Sequence, residues 1–407
     1  MMSVKIVWGN QPHISSSQNS FLLPAINFED KIHQYYSAIP DDSFARLYKT
    51  LTDKNREQIQ FKNEREALAA LLHDLNISKH SQVLVFSNTS LQLSKISAKS
   101  PRAVYFNDDL YVGYVPGGFI EIIGIDSRLG AIPYLFKLPQ KGNSQYPPIR
   151  RSTRCMRCHA SEQTGQVPGL LLSSVIPAET GGSLDNLNPH KPGHHLPYSK
   201  RFGGWFITDQ NETQNNWANS IGKMKQGGEV MRRKIPIPYN FIRTMHLSQK
   251  SEFVSHLILE HQIGFTNLCI TVQYAYRECF ARPSKYNYQE MKAYYISELI
   301  KYCLFRDEPT LENFQMNESK YFRNYFESTH QNTHQLRKLD LKTRLFKTRC
   351  SYMLGSRVFN ELPESFKISF INALREAISN KESAYANLTD HLGIEERKTI
   401  LKVLLEI

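Results

Sequence analysis

Ala103-Val104-Tyr105-Phe106, Leu110-Tyr111-Val112-Gly113-Tyr114-Val115, Phe119-Ile120-Glu121-Ile122-Ile123 and Ala131-Ile132-Pro133-Tyr134-Leu135-Phe136 follow one another in the first third of the chain. Each run is short and built from β-branched and aromatic residues. The gaps carry Asn-Asp-Asp, Pro-Gly-Gly and Arg-Leu-Gly turn signals. With Gln82-Val83-Leu84-Val85-Phe86 just upstream, the pattern predicts a β-rich segment over 81–137.

Outward from this segment the periodicity changes twice. Residues 1 to about 30 are polar and irregular. Phe44-Ala45-Arg46-Leu47 and Glu64-Arg65-Glu66-Ala67-Leu68-Ala69-Ala70-Leu71-Leu72 then have helical spacing, so 1–80 reads as a polar and helical start. Residues 138–237 are rich in Gly, Pro, Asn and Ser with little periodicity, as in segments that wrap around something or act. Beyond Pro238 the pattern is helical to the end, roughly at 251–280, 288–305, 309–327, 339–357, 364–379 and 395–405. The expected fold is α+β: a β-rich front half, an irregular middle and a mostly α-helical C-terminal region (238–407).

The 407 residues carry 50 Lys and Arg against 38 Asp and Glu, a net charge of +12 that favours an acidic partner surface. The cations are dispersed; Lys223, Lys225, Arg232, Arg233 and Lys234 form the densest group, and no tract argues for nucleic acid. No run of 18 apolar residues is present, so no transmembrane helix is expected. The first ten residues show no export signal. Six cysteines are too few and too scattered for a disulfide scaffold, and Cys269, Cys279 and Cys303 read as small buried hydrophobes.

Cys155-Met156-Arg157-Cys158-His159 lies in the irregular middle. In C-x-x-C-H the two thiols can add to the vinyl groups of one porphyrin while the histidine binds its iron. The 6 Cys and 14 His would produce roughly 0.003 such motifs by chance, so the pattern calls for chemistry. It makes 138–237 a cytochrome c-like segment carrying one covalent haem c. Zinc is the rival reading, with His190, His194 or His195 completing a site begun by the cysteines. Val167-Pro168-Gly169-Leu170-Leu171-Leu172 and Arg201-Phe202-Gly203-Gly204-Trp205-Phe206-Ile207 are expected to wall the crevice, with Trp205 against the ring and glycines letting backbone approach it. Arg154, with Arg150, Arg151 and Arg157, is placed to pair with propionates. Met224, Met231, His195 and His261 are candidates for the second iron ligand; His261 stands on the stripe Val254, Leu257, Ile258, His261, Phe265, Leu268, Val272 of a helix. Asn107-Asp108-Asp109 and Asp126 suggest calcium, but a β-turn between two strands explains Asn-Asp-Asp.

Ser81–Gln92, Ser100–Asp109, Arg154–Ser161, Val167-Pro168-Gly169, Arg201–Thr208, Leu259-Glu260-His261-Gln262, and Leu339-Asp340-Leu341 with Arg344-Leu345-Phe346 and Cys350-Ser351-Tyr352 resemble a family of bacterial cytochrome c domain proteins, from about residue 80 to the C terminus. The resemblance implies one covalent haem per chain and residence in the periplasm; it implies no particular reaction. Where that family has Thr-Gly-x-His-Gly and His-x-Gly-Asn runs, this chain reads Thr208-Asp209-Gln210-Asn211-Glu212 and Asn216-Trp217-Ala218-Asn219. The matching His261 is retained. The expected function is one-electron transfer with a redox partner of acidic surface. The alternatives are a peroxidase-like haem oxidoreductase with an open iron position and a binding module stabilised by zinc or haem.

Overall fold

The five apolar runs form consecutive antiparallel strands in a computed structural model that describes residues 22–52, 61–139, 150–189, 191–209, 215–311, 320–329 and 333–406. They are β1 (Val83–Val85), β2 (Arg102–Phe106), β3 (Leu110–Tyr114), β4 (Ile120–Asp126) and β5 (Gly130–Phe136). Two short strands from the irregular middle extend the sheet. β6 (Arg150–Arg151) pairs with β5, and β9 (Trp205–Phe206) pairs with β1, giving the order β6-β5-β4-β3-β2-β1-β9. Between them come the hairpin β7 (Val175–Pro177) and β8 (Ser183–Asn186); after β9 comes the hairpin β10 (Ser220–Met224) and β11 (Val230–Lys234).

The acidic turns are local devices. Asn107 Oδ1 accepts from the backbone N–H groups of Asp109 and Leu110, and Asp126 Oδ1 accepts from those of Arg128 and Leu129. The Asn-Asp-Asp run is therefore the β2–β3 turn, made by a side chain that mimics a backbone acceptor.

Strand alternation sends successive side chains to opposite faces. One face carries Leu84, Ala103, Tyr105, Val112, Tyr114, Ile120 and Ile122 into a core shared with α1 (Ser43–Leu51) and α2 (Glu64–Asp74). The capping carboxylate Asp42 accepts from Phe44 and Ala45 at the start of α1, and Asn63 accepts from Glu66 at the start of α2. The other face packs Val83, Val85, Tyr111 and Ile125 into a larger core reaching the C-terminal helices.

Those helices follow the single-turn α3 (Met156–His159) and the short α4 (Tyr239–Met245). They are α5 (Phe253–Ala281), α6 (Tyr288–Cys303), α7 (Lys320–Ser328), the single-turn α8 (Arg357–Asn360), α9 (Glu364–Ser379) and α10 (Ile394–Leu404). α5 is buried on all sides, not along one stripe: Leu259 and Ile263, off the expected stripe, are as buried as Leu257 and Ile258. No described helix is long and apolar enough to cross a membrane. Cys269, Cys279, Cys303 and Cys350 are all buried.

One expected helix is corrected. Residues 339–357 hold no helix before a short 3-10 turn at Tyr352–Gly355; Leu339 and Phe346 instead bridge antiparallel around a tight turn. Asp340 accepts there from the Lys342 backbone and the Thr343 hydroxyl, and Leu341 sits at φ 59°. An aspartate that satisfies its own turn competes with helical backbone bonding. Of the helix expected at 309–327, residues 312–319 lie outside the described residues.

Candidate haem-attachment site

The C-x-x-C-H turn is fastened to the sheet edge. Beyond β6, the Ser152 N–H donates to the Pro133 carbonyl (2.9 Å), and the chain enters a 3-10 turn at Thr153–Cys155 that runs into α3. Met156 is buried, with its sulfur accepting from the Tyr35 hydroxyl at 3.1 Å. This anchor leaves Cys155 half-buried and Cys158 exposed. Both thiols and His159 line one cavity of about 380 Å³, within the roughly 300–1,000 Å³ of ligand sites.

His159 is fixed by its backbone and by its ring. Nδ1 lies 3.0 Å from the Gly169 carbonyl oxygen, and the Gly169 N–H donates back to the His159 carbonyl at 2.7 Å. A carbonyl can only accept, so Nδ1 carries the proton and Nε2 keeps its lone pair. Burial lowers the pKa of the imidazole, which is neutral near pH 7. Among the described residues Nε2 has no hydrogen-bond partner. The 168–170 segment is itself clamped: the Pro168 carbonyl accepts from Ala131 on β5, and Asn267 on α5 exchanges two bonds with the Leu170 backbone at 2.7 and 2.8 Å. A Cβ on Gly169 would come within 2.6 Å of Asn267 Oδ1, so this glycine serves the contact with α5. Gly203 likewise packs on the Val175 carbonyl.

The cavity floor is the sheet face carrying Arg102, Val104, Tyr111, Gly113, Glu121 and Ile123, and its walls include Leu170, Leu171, Leu172, Trp205, Leu259 and Ile263. Trp205 is held there by donating Nε1–H to the Ser173 carbonyl at 2.9 Å. The lining is mainly apolar, with a half-buried ion pair, Arg102–Glu121, in its wall. Glu121 is bound by Arg102 (2.6 Å), the Ser90 hydroxyl (2.5 Å) and Gln92 Nε2 (2.8 Å). Burial acts to raise its pKa, and these partners outweigh burial, holding the carboxyl below its ordinary range. Arg102 Nε is buried without a partner. A buried guanidinium N–H left open in a cavity wall fits an anionic group such as a haem propionate.

Sequence reasoning did not single out Arg102 or Glu121, although a glutamate within Phe119-Ile120-Glu121-Ile122-Ile123 was a legible anomaly. Of the arginines it named, Arg154 lines the cavity and is exposed. Arg151 instead stacks over the Tyr35 ring (4.5 Å) and donates to the Tyr35 carbonyl. Arg157 is exposed and lies outside the lining. The Arg150 side chain lies outside the described residues.

The expected second iron ligands are placed elsewhere. Leu259 and Ile263 face the cavity, and His261, midway between them, points about 200° away at 100° per residue. It is fully buried, with Nδ1 2.9 Å from His194 Nδ1 and Nε2 2.8 Å from the Ser351 hydroxyl. Phe305 and Tyr302 stack on its ring at 4.2 and 5.3 Å. Burial lowers its pKa to about 3. Both nitrogens are occupied, and the structure does not bring His261 to the motif. Met224 and Met231 are exposed on the β10–β11 hairpin, and His195 is exposed. His194 is spent on His261, so it does not join the cysteines in a zinc site; His190 lies outside the described residues. Among the described residues no three His, Cys, Asp or Glu side chains are grouped to hold a metal ion.

No family model, no curated protein and no solved structure matches this chain.

Proposed function

We propose that this chain is a c-type cytochrome of the periplasm, similar to the bacterial cytochrome c domain proteins its motifs resemble. In this reading Cys155 and Cys158 form the thioether links to one haem, and His159 Nε2 binds the iron. The observation that carries it is the oriented, neutral His159, with Nδ1 committed to Gly169 and Nε2 open, in an apolar cavity lined also by both thiols. The group would supply reversible one-electron chemistry at its iron. The chain's residues bind and orient it. The Gly169 carbonyl fixes the imidazole tautomer, and Trp205 with the leucines at 170–172 excludes water. Arg102 Nε and Arg154 receive the propionates. The function is single-electron transfer with a partner protein.

A second reading is favoured by a specific feature of the lining. Among the described residues that line the cavity, His159 is the only histidine and there is no methionine. An iron with one protein ligand admits small molecules, so the site also fits a haem oxidoreductase acting on a species such as peroxide. Carbon monoxide separates the two. Rapid binding to the reduced protein at neutral pH supports the open position; a spectrum that carbon monoxide leaves unchanged supports a closed electron carrier.

A further inference from the structure

Two groups of exposed cations differ in how many of their members are paired, Lys223 of the first being without an ion pair among the described residues. On the β10–β11 hairpin, Arg233 pairs with Glu179 and Lys225 with Glu229, while Arg232 and Lys234 donate to the Asn216 and Ala218 carbonyls. Arg154, which lines the cavity, Arg157 beside Cys158, Lys95 and Lys99 just beyond the lining residue Leu91, and Lys137 just beyond the lining residue Leu135 are all exposed. Among the described residues none of these five is in an ion pair. Lys137 lies over the Phe119 ring at 5.5 Å.

The mouth also exposes large apolar side chains. Leu91, Leu93 and Phe119 are 51%, 52% and 39% exposed. They belong to one surface: Leu91 and Arg154 both line the cavity, and Gln92 bonds the Phe119 N–H (2.7 Å) and carbonyl (3.0 Å), tying the 91–93 loop to the Phe119 turn. Glu121, the carboxylate among the described residues that line the cavity, is turned inward onto Arg102, Ser90 and Gln92, and Glu64 accepts from the Gly117 N–H of the neighbouring turn. The Glu121 charge is spent inside the wall and the rim stays cationic.

We infer that this face docks a partner protein whose own surface presents an apolar spot ringed by carboxylates. Exposed apolar groups supply the desolvated centre of such a contact, and unpaired cations steer the approach. The three apolar side chains sit on turns around an opening, not along one face of a helix as in surface-lying membrane anchors. The identity of the partner as a one-electron carrier rests on the haem reading; the docking surface does not.

The test uses the full chain made with its haem and reduced flavodoxin as an acidic one-electron probe, followed by stopped flow. One electron passes from flavin to ferric iron, and the rate constant should fall steeply with salt. Lys95→Glu with Lys99→Glu should slow the reaction by about tenfold at low salt. Lys381→Glu with Lys402→Glu, the same charge change at exposed positions far along the C-terminal region, should slow it less than twofold. Leu93→Ser should slow it while leaving the salt dependence unchanged. Equal losses in both double variants would overturn the proposal, since net charge alone would then suffice. So would binding to phosphatidylglycerol vesicles that only the Lys95/Lys99 variant loses, with the flavodoxin rate untouched; the face would then meet a membrane. Calorimetric binding of flavodoxin to the chain reports docking even where no haem is attached, so failure of the haem reading remains distinguishable.

Discussion

The two sides of α5 hold histidine environments that differ in what each ring has left to offer. Toward the sheet, Leu259 and Ile263 wall a cavity in which His159 has one nitrogen committed and one open. Toward the C-terminal helices, His261 has both nitrogens bonded and two aromatic rings stacked on it. A buried polar side chain without remaining capacity specifies packing; one with an open lone pair at a cavity wall can bind. The second arrangement marks a site, and burial alone does not.

The sharpest way to break this contrast is to exchange the roles. His159→Ala should remove the chain's own coordination of the iron, read as a changed c-type spectrum and its partial recovery with added imidazole, while the stability of the haem-free chain moves by no more than about 1 kcal/mol. His261→Ala should leave the haem spectrum intact and cost about 3 kcal/mol in denaturant unfolding, through lost packing on Phe305 and Tyr302 and unpaired His194 and Ser351. A spectral change in the second variant would restore His261 as an iron ligand.

Within the cavity, Arg102→Met should cost about 2 kcal/mol because it leaves the Glu121 carboxylate buried with only Ser90 and Gln92. Adding Glu121→Gln should recover much of that loss, a coupling that a double-mutant cycle measures.

A further expected effect is a dependence on pH. Burial holds His261 and His256 each near 3 in the folded chain, against about 6.5 when unfolded. Between pH 6.5 and 3 the unfolded state therefore binds more protons, and stability falls as pH falls, by about 1.4 kcal/mol per pH unit for each group. Relative to the parent chain, His261→Ala should lose one proton's worth of that slope between pH 6 and 4, read from urea midpoints at stepped pH. An unchanged slope would place His261 in contact with solvent.

Much of this architecture is legible in the sequence because it is local. The five apolar runs became β1 to β5 within a few residues, and the patterns at 251–280, 288–305, 364–379 and 395–405 became α5, α6, α9 and α10. Residues 339–357 misled because apolar spacing says nothing of an aspartate able to build its own turn. The motif stands out in the sequence because it is a matter of spacing alone. Its surroundings were less so. Which of many arginines meets the cavity depends on strand register, which set Arg102 beside Glu121 and sent Arg151 to Tyr35. The direction of His261 was hidden because a helix buried on every side has no outward face to calibrate the inward one.

The most direct test is a pyridine haemochrome spectrum of the full chain, produced with an export signal in a host with haem-attachment machinery and denatured before measurement. The proposal predicts haem that stays with the polypeptide, an α-band typical of two thioether links, one iron per chain, and loss of covalent haem in Cys155→Ala with Cys158→Ala. A colourless chain, or one carrying zinc instead of iron, would contradict it.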